Sequence, residues 1–486
     1  MTWRVFSARK AKQVPQSRCT KIDIYQSESS GADSALVCGV YERQNLAEWA
    51  NKEQSMADLL GMSSKIIDEG SGEAAGPINR INHELSELSD DVAVVEAFSH
   101  CVLFKTDDGI AAFDTSGAAG GGRVVEAVRK WSDARFNTIV YTHGHVDHVG
   151  GCGAFLADAK DRGDPRPRIA GHENVPRRFD RYDLTNGYNL VINQRQFGQF
   201  RRRGYYIGGE VGRFLPSDSS KPDTIYRDSL DLEVGDLKLE LRHARGETDD
   251  HTWGWIERHK AICAGDFFIW NFPNAGNPQK VQRYPAEWAA AMRAMASMDA
   301  ELFIPAHGLP IAGSARIKRV LTEVAEVLEY LVGETLSMMN EGCRLNDIVH
   351  TVKVDPAELE KPYLKPLYDE PEFVVRNIWR YYGGWYDGNP AHLKPASDVV
   401  LAQEIAALAG GGQALAVRAQ ELVEGDIRLA CHLVEMAVLA EPESPQVHSI
   451  RSEIYQLRRD QETSLMAKGI FGAASNESKD KSEEGG

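Results

Sequence analysis

The chain has 486 residues, 42% of them hydrophobic, and a formal net charge of −16. That length predicts roughly two or three domains, each with its own core. The excess of acids runs along the whole chain. It argues against nucleic acid as a partner, whose phosphates need a basic face, and against an anionic membrane surface, but not against a small anion held by local cations. The seven cysteines are scattered and form no CxxC pair. Neither a zinc knuckle nor a disulfide framework is expected, and free thiols in a reducing compartment are the simplest reading. The first 21 residues, MTWRVFSARKAKQVPQSRCTK, are basic but carry no apolar core of a secretory signal. No apolar run reaches membrane-spanning length. A cytoplasmic protein without a membrane partner is expected.

Residues 1–80 show weak periodicity and small polar stretches such as SESSGADS and GSGEAAG. They predict an extension that packs on something else or is partly mobile. A regular pattern begins near Asp91. VAVVEAF, HCVLFKT and GIAAFDT are apolar runs parted by Gly or Asp turns, and predict strands. VVEAVRKWSDA has helical spacing, and NTIVYT is a short β-branched strand. Strand, turn, helix and strand in that order predict a layered α/β fold. A second set of strands follows in SLDLEVGDLKLELRHA, HTWGWIER, KAICAGD and ELFIPAHG.

The stretch 319–340 predicts a helix with Val320, Val324, Val327, Leu328 and Leu331 on one face, as core or dimer interface. Beyond Pro395 the chain is rich in Ala and Leu. It predicts helices broken at Gly425-Asp426 and at a proline, similar to a single tetratricopeptide-like hairpin. The tail SNESKDKSEEGG is expected to be disordered.

The chemistry concentrates in THGHVDH, residues 142–148, directly after the NTIVYT strand. On an extended stub, alternate residues point the same way, so His143 and His145 can face one centre. Asp147 and His148 follow as the chain turns, helped by Gly150 and Gly151. This arrangement suits two adjacent ions, with Asp147 serving the second. Further donors stand at other strand tips: Glu247 in HARGETDDH, Asp266 in CAGDFF and His307 in IPAHG. Asp249, Asp250 and His251 rival Glu247, and Asp266 could instead cap the next segment. Imidazole and carboxylate donors suit zinc, and iron or manganese also fits them.

HxHxDH, an acid at Glu247, an AGD strand end and a PAHG together resemble the metallo-β-lactamase superfamily. The usual histidine of GHT is replaced by Glu247 in GET, which is similar to the zinc-dependent alkylsulfatases. Trp379 to Pro395, WRYYGGWYDGNPAHLKP, resembles the GWxDGNPAxLxP stretch of their dimerisation region. The resemblance covers roughly Asp91 to Asp460. It implies a four-layer αββα sandwich over 81–318, an all-α dimerisation domain over 319–470 and a tail over 471–486. It further implies a homodimer with two zinc ions per subunit, on His143, His145, Asp147, His148, Glu247, Asp266 and His307. The implied reaction takes a small anionic ester: a metal-activated water, oriented by Asp147, cleaves an alkyl sulfate to alcohol and inorganic sulfate.

This sequence departs from that pattern in two places. FFIWNFPNAGNPQ stands where the family has an Asn- and Thr-rich stretch, and the sequence ends before the sterol-carrier-like domain of the secreted members.

Arg283 in QRYPAEW is the candidate sulfate clamp, since a guanidinium fork fits a tetrahedral oxyanion. The alternative is a surface arginine at a helix start. Asn186 to Phe200 groups Asn, Tyr, Arg and aromatics, which makes Tyr188, Asn193 and Arg195 candidate pocket residues. The alternative there is a structured insertion loop. Two further readings keep the fold but change the function: hydrolysis of a lactone, thioester or phosphodiester, or a non-catalytic metal-binding scaffold.

Overall fold

The two faces of each central strand serve different cores. In the computed structural model, which describes residues 57–70, 78–196 and 212–484, strand β2 (Val92–Val95) is buried at every position. Ala93 and Val95 pack towards helices, while Val92 and Val94 pack towards a second sheet. A strand covered on both sides has no polar face, so it reads as a continuous apolar run.

β2 belongs to a seven-stranded sheet ordered β1 to β7 in sequence. The others are β1 (Leu85–Ser89), β3 (Cys101–Thr106), β4 (Gly109–Phe113), β5 (Phe136–Val140), β6 (Arg168–His172) and β7 (Thr224–Tyr226). Strands β1 to β4 pair antiparallel, and β4 to β7 run parallel. The second sheet has six strands in the order β13-β12-β11-β10-β9-β8. They are β8 (Ser229–Val234), β9 (Leu237–His243), β10 (Thr252–Ile256), β11 (Ala261–Gly265), β12 (Leu302–Pro305) and β13 (Ile311–Ala312), with only β11 and β12 parallel.

Three apolar layers follow. Phe104, Phe113, Leu239 and Leu241 fill the space between the sheets. Val124, Val128 and Phe155, from helices Ala118–Trp131 and Cys152–Arg162, cover the outer face of the first sheet. Trp288 and Met292 of helix Pro285–Ala296, with Val320, Val324 and Leu328 of helix Ser314–Asn340, cover the second. The result is the αββα sandwich.

Helix Ser314–Asn340 starts five residues before the predicted 319. Its apolar stripe packs in one cluster with Phe303 and Trp288. The helix covers the second sheet, and in the same cluster it meets Ile348, Val374 and Ile378 of the helices that follow. Of the N-terminal 80 residues, the described part includes helix Leu59–Glu69. Asp58 caps it by accepting from Gly61 N at 2.8 Å, and Leu59 and Ile66 pack into the same cluster as Trp288. The rest of that stretch lies almost wholly outside the described residues.

The Ala-rich region forms helices Asp398–Ala409, Gly412–Leu422, Ile427–Ala440 and Pro445–Gln461. Buried Ala406, Ala416, Ala430 and Ala437 let their backbones approach closely. Asp426 ends the Gly-Asp break by capping the third of these at Leu429 N, 3.0 Å away. The tail is not disordered as expected: a helix runs from Leu465 to Glu484. Its first half packs Met466 and Phe471 into the core, Phe471 against Tyr455, and polar contacts hold its second half, with Ser478 Oγ 3.0 Å from His448 Nδ1 and receiving Arg451 Nη1 at 2.8 Å. No apolar stripe announced that second half. Among the described residues no single helix is long and apolar enough to cross a membrane.

The turn that carries the HxHxDH motif is packed backbone against backbone. A Cβ on Gly151 would stand 2.1 Å from Thr115 O and 2.9 Å from Gly121 Cα. Gly151→Ala is therefore expected to destabilise the protein by about 1–3 kcal/mol or more, read as a lowered denaturation midpoint. An unchanged midpoint would show that this turn yields.

Candidate metal centre

The centre is assembled from strand tips. β4 and β5 run parallel with Phe113 opposite Val140, so Asp114 and Thr142 leave the sheet side by side. Asp114, in the left-handed region at φ 59°, accepts from Thr142 N at 2.8 Å and from Thr142 Oγ1 at 2.7 Å. The chain then runs through His143 and Gly144 into the turn Val146–Val149. Asp266 follows β11 and His307 follows its parallel neighbour β12. Gly265 makes this convergence possible. Its φ is +55°, and a Cβ would meet His251 Nε2 at 2.7 Å and Thr142 Cβ at 2.8 Å.

Seven donors meet in two sets, one of His143, His145, Glu247 and Asp266, the other of Asp147, His148 and His307, with the donor atoms of each set within 4.8 Å of one another. Asp266 joins the sets. Its Oδ2 lies 3.3 Å from His148 Nε2 and 3.9 Å from His143 Nε2, and its Oδ1 lies 3.5 Å from His307 Nε2. Asp147 Oδ2 stands 3.4 Å from His307 Nε2, and Glu247 Oε1 stands 3.8 Å from His145 Nδ1.

These residues fit cations on two grounds. His148 Nε2 and Asp266 Oδ1 are buried with no hydrogen-bond partner, and an orphaned buried donor or acceptor is costly. The carboxylates are also poorly balanced. Burial pushes the Glu247 carboxyl well above its usual range; Arg283 opposes this, while Asp266 and Asp147 reinforce it. Burial acts on Asp266 in the same sense, but His148 and His307 overcome it and hold that carboxyl well below its usual range. Burial, then the neighbouring imidazoles of His148 and His145, drives His143 towards its neutral, ligating form.

Other groups fix the donors. Asp114 Oδ2 accepts from His148 Nδ1 at 2.8 Å, orienting Nε2 inward. Asp250 accepts from Gly144 N at 3.0 Å and from Arg178 Nε at 2.8 Å. Burial works against that carboxylate, but Arg178 prevails and its pKa falls to about 2.

The rivals of Glu247 are thus engaged elsewhere. Asp249 and Asp250 pair with Arg178, and His251 Nε2 accepts from Asp266 N at 3.1 Å. Glu247 itself is held by Asn274 Nδ2 and by Arg283, whose Nη1 donates to the Glu247 carbonyl and lies 3.2 Å from Oε1. Arg283 is 1% exposed, so it is not a surface arginine.

The remaining candidates separate. Asn193 is buried and accepts from Lys280 Nζ at 3.2 Å. Tyr188 is 62% exposed on helix Asn186–Gln196, and Arg195 is exposed with its Nη1 3.3 Å from Gln279 Oε1. The structure therefore gives neither a contact with the donor cluster, because the buried face of that helix is Asn189, Ile192, Asn193 and Gln196. The stretch up to Phe200 passes outside the described residues after Gln196. Sequence reading missed Asp114, Arg178, Asn274 and Lys280. Only Asp114 had a signal, as the polar end of the GIAAFDT strand.

Two family profiles match the chain: the metallo-beta-lactamase superfamily over residues 94–307 and alkyl sulfatase dimerisation over residues 344–481. A linear primary-alkylsulfatase of a Pseudomonas strain is 25% identical over 378 residues, covering 73% of this chain and 69% of the relative. An (R)-specific secondary-alkylsulfatase of Pseudomonas is 22% identical, covering 73% and 56%. An alkyl/aryl-sulfatase of Saccharomyces cerevisiae is 28% identical, covering 64% and 50%. The solved structure of a stereoselective inverting sec-alkylsulfatase from Pseudomonas superposes with a TM-score of 0.72 at 19% identity, over 82% of this chain and 65% of that one. The chain thus spans about half to two thirds of the length of the proteins it matches.

Asp114 touches no cation position itself, so its loss should act through His148. Asp114→Asn is expected to leave the circular dichroism spectrum unchanged and to weaken metal binding by about 10- to 100-fold, measured by chelator competition. Unaltered affinity would remove Asp114 from the account of the centre.

Proposed function

Because this chain matches the metallo-β-lactamase superfamily profile over residues 94–307 and the alkyl sulfatase dimerisation profile over residues 344–481, we propose that it is a zinc-dependent hydrolase. It would convert an alkyl sulfate and water to the alcohol and inorganic sulfate. One observation carries the reading: seven imidazole and carboxylate donors converge from separate strand tips in a chain whose C-terminal third matches the alkylsulfatase dimerisation profile. His143, His145 and Glu247 would hold one ion, Asp147, His148 and His307 a second, and Asp266 would lie between them. The helical region supports a homodimer, since Trp385, Val400 and Leu408 leave apolar surface exposed. A cytoplasmic location is part of the same proposal.

Bound divalent cations supply Lewis acidity, lowering the pKa of a water from about 15.7 to about 7 and neutralising oxyanion charge. The rest is done by the chain. Asp147 is the most exposed of the three carboxylates, its side chain 20% accessible against 8% for Asp266 and 4% for Glu247. Burial acts to raise its pKa, but His148 and His307 hold it lowered, so it is ionised at neutral pH. It can orient the attacking water and accept its proton. Arg283 anchors Glu247, its Nη1 donating to the Glu247 carbonyl and standing 3.2 Å from Oε1.

Release of inorganic sulfate from a panel of alkyl and aryl sulfates tests this directly. A chelator should abolish release and zinc should restore it. Turnover of a lactone, thioester or phosphodiester with no sulfate from any ester would overturn the reading. Asp147→Ala should remain soluble and helical while losing about 10²- to 10⁴-fold in turnover. An unfolded variant would instead make Asp147 structural.

A further inference from the structure

Arg283 and Lys280 both belong to one segment beside the centre, and among the described residues Lys280 has no carboxylate partner. The segment 267–284 is pinned to Glu247 twice, by Asn274 Nδ2 and by Arg283 Nη1. Arg283 spends its charge there, 3.2 Å from Glu247 Oε1. Lys280 lies between these two pins. Its Nζ donates to Asn193 Oδ1 at 3.2 Å and stands 5.7 Å from the centre of the Phe214 ring. Among the described residues no carboxylate lies within the 4.0 Å of an ion pair with it. Asn193 Nδ2 is committed to Asn189 O at 2.7 Å, which fixes the amide with Oδ1 towards the ammonium.

Burial lowers the Lys280 pKa to about 7, and Arg283 adds to this, while the fields of Asp147 and Glu247 oppose it. Lys280 lies on the chain between the two residues that hold Glu247, so the segment that carries the ammonium borders the donor cluster. Among the described residues this ammonium has an amide oxygen and an aromatic face for company but no anion.

We propose that Lys280 recognises the anionic head group of the substrate, held towards the centre by Asn193. This rests on the reading that the substrate is a sulfate ester. It divides the labour between the cations: Arg283 positions Glu247, and Lys280 meets the sulfate as a point charge with rotatable donors rather than as a fixed fork. Asn193 becomes a positioning residue.

Binding of octane-1-sulfonate, whose C–S bond is not hydrolysed, tests the proposal without turnover. The full-length zinc-loaded protein is titrated calorimetrically. Lys280→Met is expected to weaken binding by about 10-fold or more. Lys280→Arg keeps the charge but not the point-charge geometry, so it should bind more tightly than Lys280→Met and more weakly than the starting protein, and metal content should be unchanged in both. Lys280→Met that binds the sulfonate as tightly as the parent overturns the proposal. So does a loss of sulfonate binding that tracks a loss of zinc, which would make Lys280 part of the scaffold. A parent protein that binds the sulfonate but releases sulfate from no ester would count against the hydrolase reading and leave the role of Lys280 standing.

Discussion

Everything at this centre turns on one buried carboxylate. Asp266 stands within 3.3 to 3.9 Å of the imidazoles of His148, His307 and His143, which arrive from the ends of two strands, β5 and β12. Without it the two donor sets would be separate clusters. Placing an acid among three imidazoles in a desolvated pocket is favourable only if every ring is turned the right way and the remaining charge is balanced. The surroundings over-determine that geometry. Asp114 turns His148, Asp250 and Arg178 hold the Gly144 turn, His251 holds the Asp266 backbone, and Arg283 with Asn274 holds Glu247.

The helical region takes part in this support. Asp369, at the start of helix Pro371–Gly383, accepts from Gly276 N at 2.6 Å and Asn277 N at 3.1 Å. It therefore ties down the loop that carries Asn274 and Lys280. Burial raises its pKa to about 6 against those hydrogen bonds. Tyr368 OH accepts from Gln196 Nε2 at 2.8 Å, joining helix Asn186–Gln196 to the same support. The part of the chain that matches a dimerisation profile thus shapes the loop over the centre, and it does so through backbone N–H groups.

The legible features were those in which the physics is local. Strands buried on both faces announce themselves as apolar runs, and ligands after such runs stand at sheet edges; hence THGHVDH, Asp266 and His307 could be read from single short windows. Glu247 needed a choice among four polar neighbours, and long-range partners made it. Arg178 lies about 70 residues from Asp250 in sequence, and nothing local foretells the pair. The same holds for Lys280, whose environment is set by Asn193 and Phe214. Tyr188 and Arg195 were chosen by residue type without helical phase, which turns Asn189 and Asn193 inward and these two outward. The end of the terminal helix escaped notice because, beyond Phe471, serines and an arginine hold it, with no apolar periodicity to detect.

A dinuclear centre here requires Asp266 to serve both donor sets. A crystal of the zinc-loaded protein, with anomalous data collected at the zinc edge, tests this most directly. Two peaks are predicted, one beside His143, His145 and Glu247 and one beside Asp147, His148 and His307, with the Asp266 carboxylate between them. A single peak, or two peaks with Asp266 turned away from either, would contradict it.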